Sequence, residues 1–322
     1  MGYFVGAYAT SPAGVKWDPE AEQVYYQQLK AFGNIQGLEH PFTGSLHQHD
    51  DDWFIANIDP SWQFVITCVP GIMGALAQNP HFGIASDDEA GRQEALVFMQ
   101  KACDAIAKLN SANGKPCVKA IEIQTAPDRS KASGSAKALK ASLETMLSWD
   151  WHGAEIIIEH CDALVPKHEH AKGFLSLEDE ITVVQELNNS LQANLGILIN
   201  WGRSAIESHS TDGVIHHIKR VKDVGLLKGL MFSGVSDTQT DYGIWKDTHM
   251  PAAKDADSEF GAEHSLLTRE EIHRALAACG DALTNDTIIG IKLGIRPKDA
   301  PLAPRVGYNQ SALGMIDNFF SK

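Results

Sequence analysis

The sequence predicts an α/β protein: a single (β/α)8 TIM barrel with long loops on its C-terminal face. Three observations carry this expectation. Short β-branched or apolar runs alternate with longer helical stretches along all 322 residues, eight strand-like runs stand out, and the turn after the first is not glycine-rich. A doubly wound open sheet would have fewer strands and a glycine-rich first turn. In a barrel each strand feeds a right-handed crossover that returns to a parallel neighbour.

The eight predicted strands are Tyr3–Ala9, Ile35–Glu39, Gln63–Val69, Val118–Thr125, Glu155–His160, Gly196–Asn200, Gly229–Phe232 and Ile288–Leu293. Between them, helical stretches open on residues suited to cap them. Asp18-Pro19-Glu20 starts a run through Phe32, with an acid at the cap, proline at the first helical position and an acid in the first turn. Ser86-Asp87-Asp88-Glu89 is a capping-box pattern that opens a stretch to about Leu109. Ser135–Ser148, Ser176–Leu191, Thr211–Val224 and Thr268–Cys279 follow in the same manner. The turn after the first strand reads Thr10-Ser11-Pro12-Ala13-Gly14, and neither GxGxxG nor a P-loop occurs, so no nucleotide cofactor is expected.

A barrel of this kind needs ~250 residues, which leaves about 70 of the 322 for elaborations. His40–Pro60, Ala163–Leu175 and Val235–Leu267 are long, polar and placed after strands two, five and seven, where barrel active sites are built. No internal repeat, linker or low-complexity tract interrupts the chain, and one domain over residues 1–322 is expected, with insertions near 40–60, 163–175 and 235–267.

Composition narrows the partners. With 43% hydrophobic and 21% charged residues the chain can bury a large core, which excludes disorder. A net charge of −14 opposes a nucleic acid partner, which needs a clustered basic face. No apolar run approaches the ~20 residues of a membrane span, and MGYFVGAYATSPAG lacks the basic start of a signal peptide, so no membrane and a cytoplasmic location are expected. The five cysteines (Cys68, Cys103, Cys117, Cys161, Cys279) have no CxxC spacing and read as reduced structural thiols. A homo-oligomer is left open.

Polar residues at strand ends are the candidates for chemistry. Strand five ends Glu159-His160-Cys161-Asp162 after an apolar run. Glu159 is the first choice for a base or metal ligand, with His160 and Asp162 as substrate-orienting groups; a solvated strand end is the alternative. Lys292 interrupts the apolar strand eight. It is read as half of a buried ion pair, as a contact to a substrate oxygen, or as a Schiff-base amine, while Arg296 beyond it suits an anionic group or the surface.

Asn200, Trp201 and Arg203 at the end of strand six offer an amide, an aromatic platform and a guanidinium for a sugar ring, or else Trp201 caps the barrel mouth and Arg203 pairs with a loop acid. Glu122 and Gln124 share a face of strand four; Glu122, if buried, wants a cation, with Lys292 the natural partner, and Glu39 is a second inward acid. His47 and His49, next to Asp50-Asp51-Asp52, form the most metal-like run, set against a hydrated acidic loop. HExxH and GxSxG are absent, and Ser233 has no base identifiable in the sequence.

The strand order and the IIIEHCD ending resemble the xylose-isomerase-like barrel superfamily, which includes sugar and sugar-phosphate isomerases, epimerases and an endonuclease branch; the resemblance is nearest to a branch of about this length. It implies that Glu159, closing strand five, stands where such proteins place a metal ligand or base. The other usual ligands are absent: strand six closes with Asn200, strand seven with Ser233, and strand eight carries Lys292. The implied function is therefore a carbohydrate isomerase or epimerase acting on a sugar or anionic sugar. Glu159 would be the base and Lys292 or Arg203 the stabiliser of negative charge, with a divalent metal left open. The alternatives are a Schiff-base carbon–carbon lyase using Lys292 and a non-catalytic sugar-binding protein.

Overall fold

Ile156, Ile157 and Ile158 are buried together, as are Ile197, Leu198 and Ile199, so successive residues hide on both faces of their strands. Parallel strands enclosed by helices require this pattern. The computed structural model describes residues 2–13 and 16–321; Gly14, the last residue of the turn expected after the first strand, lies outside the described residues. Eight parallel strands form a closed barrel in chain order: β1 (Tyr3–Val5), β2 (Ile35–Pro41), β3 (Gln63–Thr67), β4 (Val118–Ile123), β5 (Glu155–His160), β6 (Gly196–Asn200), β7 (Leu227–Phe232) and β8 (Ile288–Ile291). Among the described residues the helices are α1 (Pro19–Lys30), α2 (Asp51–Asn57), α3 (Val69–Leu76), α4 (Glu89–Asn113), α5 (Ala136–Met146), α6 (Leu177–Leu191), α7 (Trp201–Ser208), α8 (Thr211–Asp223), α9 (Arg269–Cys279) and α10 (Leu302–Phe320).

The expected caps are where the helices begin. Asp18 accepts from the backbone N–H groups of Glu20 and Ala21, Ser135 from Ala138, Ser176 from Asp179 and Thr268 from Glu271. Each such cap contributes about 1 kcal/mol. In α4 the capping side chain is Asp88, and Ser86 instead accepts the Asp88 N–H at 3.2 Å.

Several strands end sooner than expected. Strand β1 stops at Val5: Gly6 donates one more ladder bond to Ile291 O at 2.7 Å, and the chain then closes a 3-10 turn over Ala7–Ala9. Strand β3 stops at Thr67 because Pro70, in the first turn of α3, has a helix-compatible φ and no N–H for a ladder. Strand β8 ends at Ile291, although the Lys292 N–H still reaches Phe232 O at 2.8 Å. Helices α2 and α7 replace expected loop or mouth segments, and α10 follows the last strand.

The chain groups into two compact units, Met1–Glu39 with Asn57–Trp62 and Ile199–Lys322, and His40–Ala56 with Gln63–Leu198. In the first unit β1 lies between β2 and β8, β7 pairs with β8, and α10 packs on α1 and α9. There the Arg305 guanidinium of α10 donates to Thr10 O at 3.0 Å and Ser11 O at 2.9 Å, which fixes the chain leaving β1. In the second unit β4 lies between β3 and β5, and α5 packs on α4 and α6. Among the described residues no helix is long and apolar enough to cross a membrane.

Candidate active site

Period-two alternation sends adjacent residues of β5 in opposite directions. Glu159 is fully buried, and its Oε2 accepts from Gln124 Nε2 at 2.9 Å and, more weakly, from Thr67 Oγ1 at 3.4 Å. Thr67, Gln124 and Glu159 lie at or next to the ends of three neighbouring strands, and their side chains meet on one face. His160 takes the other face: its Nδ1 lies 2.7 Å from Glu180 Oε2 of α6, and Glu180 Oε1 accepts from Thr125 Oγ1 at 2.7 Å. The helices lie on that side, so Glu159 faces the barrel interior.

Glu122, two residues before Gln124, shares the interior face and is buried. Burial, and after it the carboxylates of Glu122 and Glu159, push the Cys68 thiol well above its usual range, which disfavours the thiolate. The Gln124 amide leaves its Oε1 buried with no hydrogen-bond partner among the described residues. The expected substrate-orienting role of His160 is corrected by its position against α6. Asp162 likewise binds the insertion that follows it, its Oδ2 accepting from the N–H groups of Ala171 at 2.6 Å and Lys172 at 2.8 Å.

In the other unit Lys292 forms a fully buried ion pair with Glu39, the second inward acid of the sequence. Strand order explains this. Glu39 and Lys292 flank β1, whose next residue is Gly6; a Cβ there would lie 2.8 Å from Glu39 Oε2 and 3.1 Å from Lys292 Cγ, so only glycine lets the two charges meet across the strand. A buried ammonium without that carboxylate would cost several kcal/mol.

Asn200, Trp201 and Arg203 do not form the expected sugar platform. Asn200 Oδ1 accepts the Arg203 N–H at 3.3 Å as the cap of α7, and Trp201, the first residue of that helix, is 1% exposed. Arg203 is buried, with Nε 3.1 Å from Asp247 Oδ2. Asp247 Oδ1 lies 3.2 Å from His249 Nδ1, which is also 3.0 Å from Ser233 Oγ. Asp247 and His249 were missed. They sit inside the insertion after β7, where no periodicity points to them; the only sequence signal was the insertion's place after a strand.

Arg296 lies apart from this network. Its guanidinium is 5.5 Å from the centre of the Tyr242 ring and donates to Ile295 O at 2.9 Å. The two rim a cavity of about 350 Å³. His47 belongs to a helix-entry turn: Nδ1 accepts from the N–H groups of Asp50 at 3.0 Å and His49 at 3.3 Å, and Asp50 Oδ1 accepts from Asp52 and Trp53 at the start of α2. Among the described residues neither His47 nor His49 belongs to a group of three or more ligand atoms within 4.8 Å of one another.

Three of the positions at which the family resemblance implies ligands for a divalent metal carry other groups. Asn200 caps a helix, the Ser233 hydroxyl bonds an imidazole, and Lys292 brings an ammonium to the place of a carboxylate.

A profile of the family described as domain of unknown function (DUF4862) matches residues 4–308. Uncharacterized protein STM3670 of Salmonella typhimurium strain LT2 is 30% identical over 318 residues, 98% of this chain and 96% of its own. Among solved structures, D-psicose 3-epimerase from Clostridium cellulolyticum H10, determined with D-tagatose, superposes with a TM-score of 0.57 at 13% identity over 99% of both chains. A xylose isomerase domain containing protein from Salmonella typhimurium LT2 gives 0.55 at 12% identity, over 97% of this chain and 96% of that one.

Proposed function

The chain belongs to the domain of unknown function family DUF4862 and has a xylose-isomerase-like barrel; on that premise we propose a carbohydrate isomerase or epimerase that works by proton abstraction, with Glu159 as the base. One observation carries the reading. Glu159 is a fully buried interior carboxylate, aimed by the Gln124 amide, and the carbonyl oxygen of that amide has no donor among the described residues. A substrate hydroxyl satisfies such an oxygen, whose burial unpaired costs about 1–3 kcal/mol.

Glu159 takes the proton from a carbon next to a carbonyl, and an enediolate forms. Return of the proton to the opposite face of that carbon inverts it; return to the neighbouring carbon exchanges ketose and aldose. Negative charge gathers on oxygen meanwhile, and Lys292 is the proposed cation for it. Arg203, paired with Asp247, is assigned to holding that carboxylate. The solved D-psicose 3-epimerase with D-tagatose makes ketohexoses the first substrates to try.

The lyase reading loses ground. Schiff-base formation needs a neutral amine, and the Glu39 carboxylate stabilises the ammonium form of Lys292. Incubation with D-tagatose, D-fructose and sugar acids in D2O tests the proposal. Deuterium enters next to the carbonyl with the native protein, and Glu159→Gln abolishes this while binding persists. Turnover retained in Glu159→Gln removes the assignment; saturable binding with no deuterium uptake leaves a binding protein.

A further inference from the structure

We propose that His249 is a second acid–base group of this barrel, exchanging through Nε2 a proton carried by substrate oxygen, with Asp247 and Arg203 as positioning residues. The role rests on the isomerase or epimerase reading. In the ketose–aldose exchange one oxygen loses its proton as C–OH becomes C=O, and its neighbour gains one as C=O becomes C–OH. His249 accepts the first and supplies the second, so no net proton and no oxidant is needed.

The backbone is committed to this placement. His249 has φ +57°, the left-handed region that few residues other than glycine enter. The chain is clamped there on two sides. Met250 and Gly234 exchange backbone hydrogen bonds of 2.8 and 3.1 Å, and the Gly294 N–H donates to the His249 carbonyl. A Cβ at position 234 would lie 2.6 Å from Met250 O, so the approach requires glycine directly after Ser233.

The side chain is oriented for proton transfer. In the proposed tautomer Nδ1, 3.2 Å from the Asp247 carboxylate and 3.0 Å from the Ser233 hydroxyl, carries the hydrogen, and Nε2 carries the lone pair. Asp247 is held in turn by Arg203. Exposure is graded along the chain of contacts: the side chains of Arg203, Asp247 and His249 are 1%, 5% and 19% exposed, so the imidazole is the most exposed of the three. The groups acting on it are Asp247, Arg203 and Lys292, beside the Ser233 hydroxyl. Burial first, then the Lys292 and Arg203 charges, lower the imidazole pKa against the opposing pull of Asp247, which leaves the ring neutral and able to accept a proton at pH 7.

The test uses His249→Asn, since asparagine tolerates the left-handed backbone, and Asp247→Asn, on whichever sugar the native protein turns over. His249→Asn lowers kcat by ~10²-fold or more, with KM changed far less, and removes a limb of the pH–rate profile. Asp247→Asn keeps that limb but moves it to lower pH, because the imidazolium loses its carboxylate. Turnover within ~3-fold of native in His249→Asn, or an unchanged limb, overturns the inference and leaves the isomerase reading standing. No turnover of any sugar by the native protein overturns both. If His249→Asn does not fold, 15N NMR of the native protein decides: an Nδ1–H tautomer whose Nε2 shifts on adding sugar supports the role, and an Nε2–H tautomer refutes it.

Discussion

Adjacent residues of β5 have unrelated duties. Glu159 faces the interior beside Gln124, whereas His160 is locked to Glu180 under α6. Removing one partner of a buried pair strands the other, so His160→Ala is expected to destabilise the fold by about 3 kcal/mol while sugar binding persists; urea unfolding beside a titration checks both. Lys292 and Glu39 make a sharper case. Lys292→Met is expected to cost about 3–5 kcal/mol, and Lys292→Met with Glu39→Gln less than that, because the double variant does not leave the Glu39 carboxylate without its cation. A double variant less stable than the single one would contradict the pairing. That Glu159 and Lys292 are charged residues set in buried strand ends was legible, since each breaks an apolar run. Their partners were not, because Glu39 meets Lys292 across a strand distant in sequence and only barrel order brings the two together.

Among the elements, helices with a Ser, Thr or Asp cap were legible to within a residue or two at their starts, and the strands β5 and β6 match their expected spans. What escaped were helices that begin without a break, such as α7, where Asn200 is both the last strand residue and the cap. That dual role is why Trp201 read as a mouth aromatic and is instead buried in a helix. The 235–267 insertion was expected near the site, but nothing pointed to Asp247 or His249, since close backbone approach leaves no periodic trace. Gly234→Ala tests the approach. Its methyl group would press on Met250 O, and a loss of about 1–3 kcal/mol together with a displaced His249 resonance is expected. An unperturbed resonance would show that the clamp does not hold the imidazole.

For the whole molecule, strand alternation, crossover length and the absence of a nucleotide-binding turn were enough to reach the closed barrel, because those are global periodicities. Stability against pH follows from shifted groups. His249 titrates below its ordinary 6.5 in the fold, so its contribution is present above 6.5 and is lost as pH falls through the lowered value. Asp87, held below its ordinary 3.8 by hydrogen bonds from Ser133 and Ser135, contributes above that value and loses its contribution in stronger acid. Urea midpoints measured across this range are expected to fall in two stages, with the upper stage weakened in His249→Asn and the lower in Asp87→Asn. Coincident curves for native and variants would contradict the assignment.

The proposed chemistry itself is tested most directly by proton NMR of D-tagatose or another ketohexose incubated in D2O with the native protein and with Glu159→Gln. Loss of the signal next to the carbonyl with the native protein, and its persistence with the variant, is the expected result. Equal loss with both proteins would contradict Glu159 as the base.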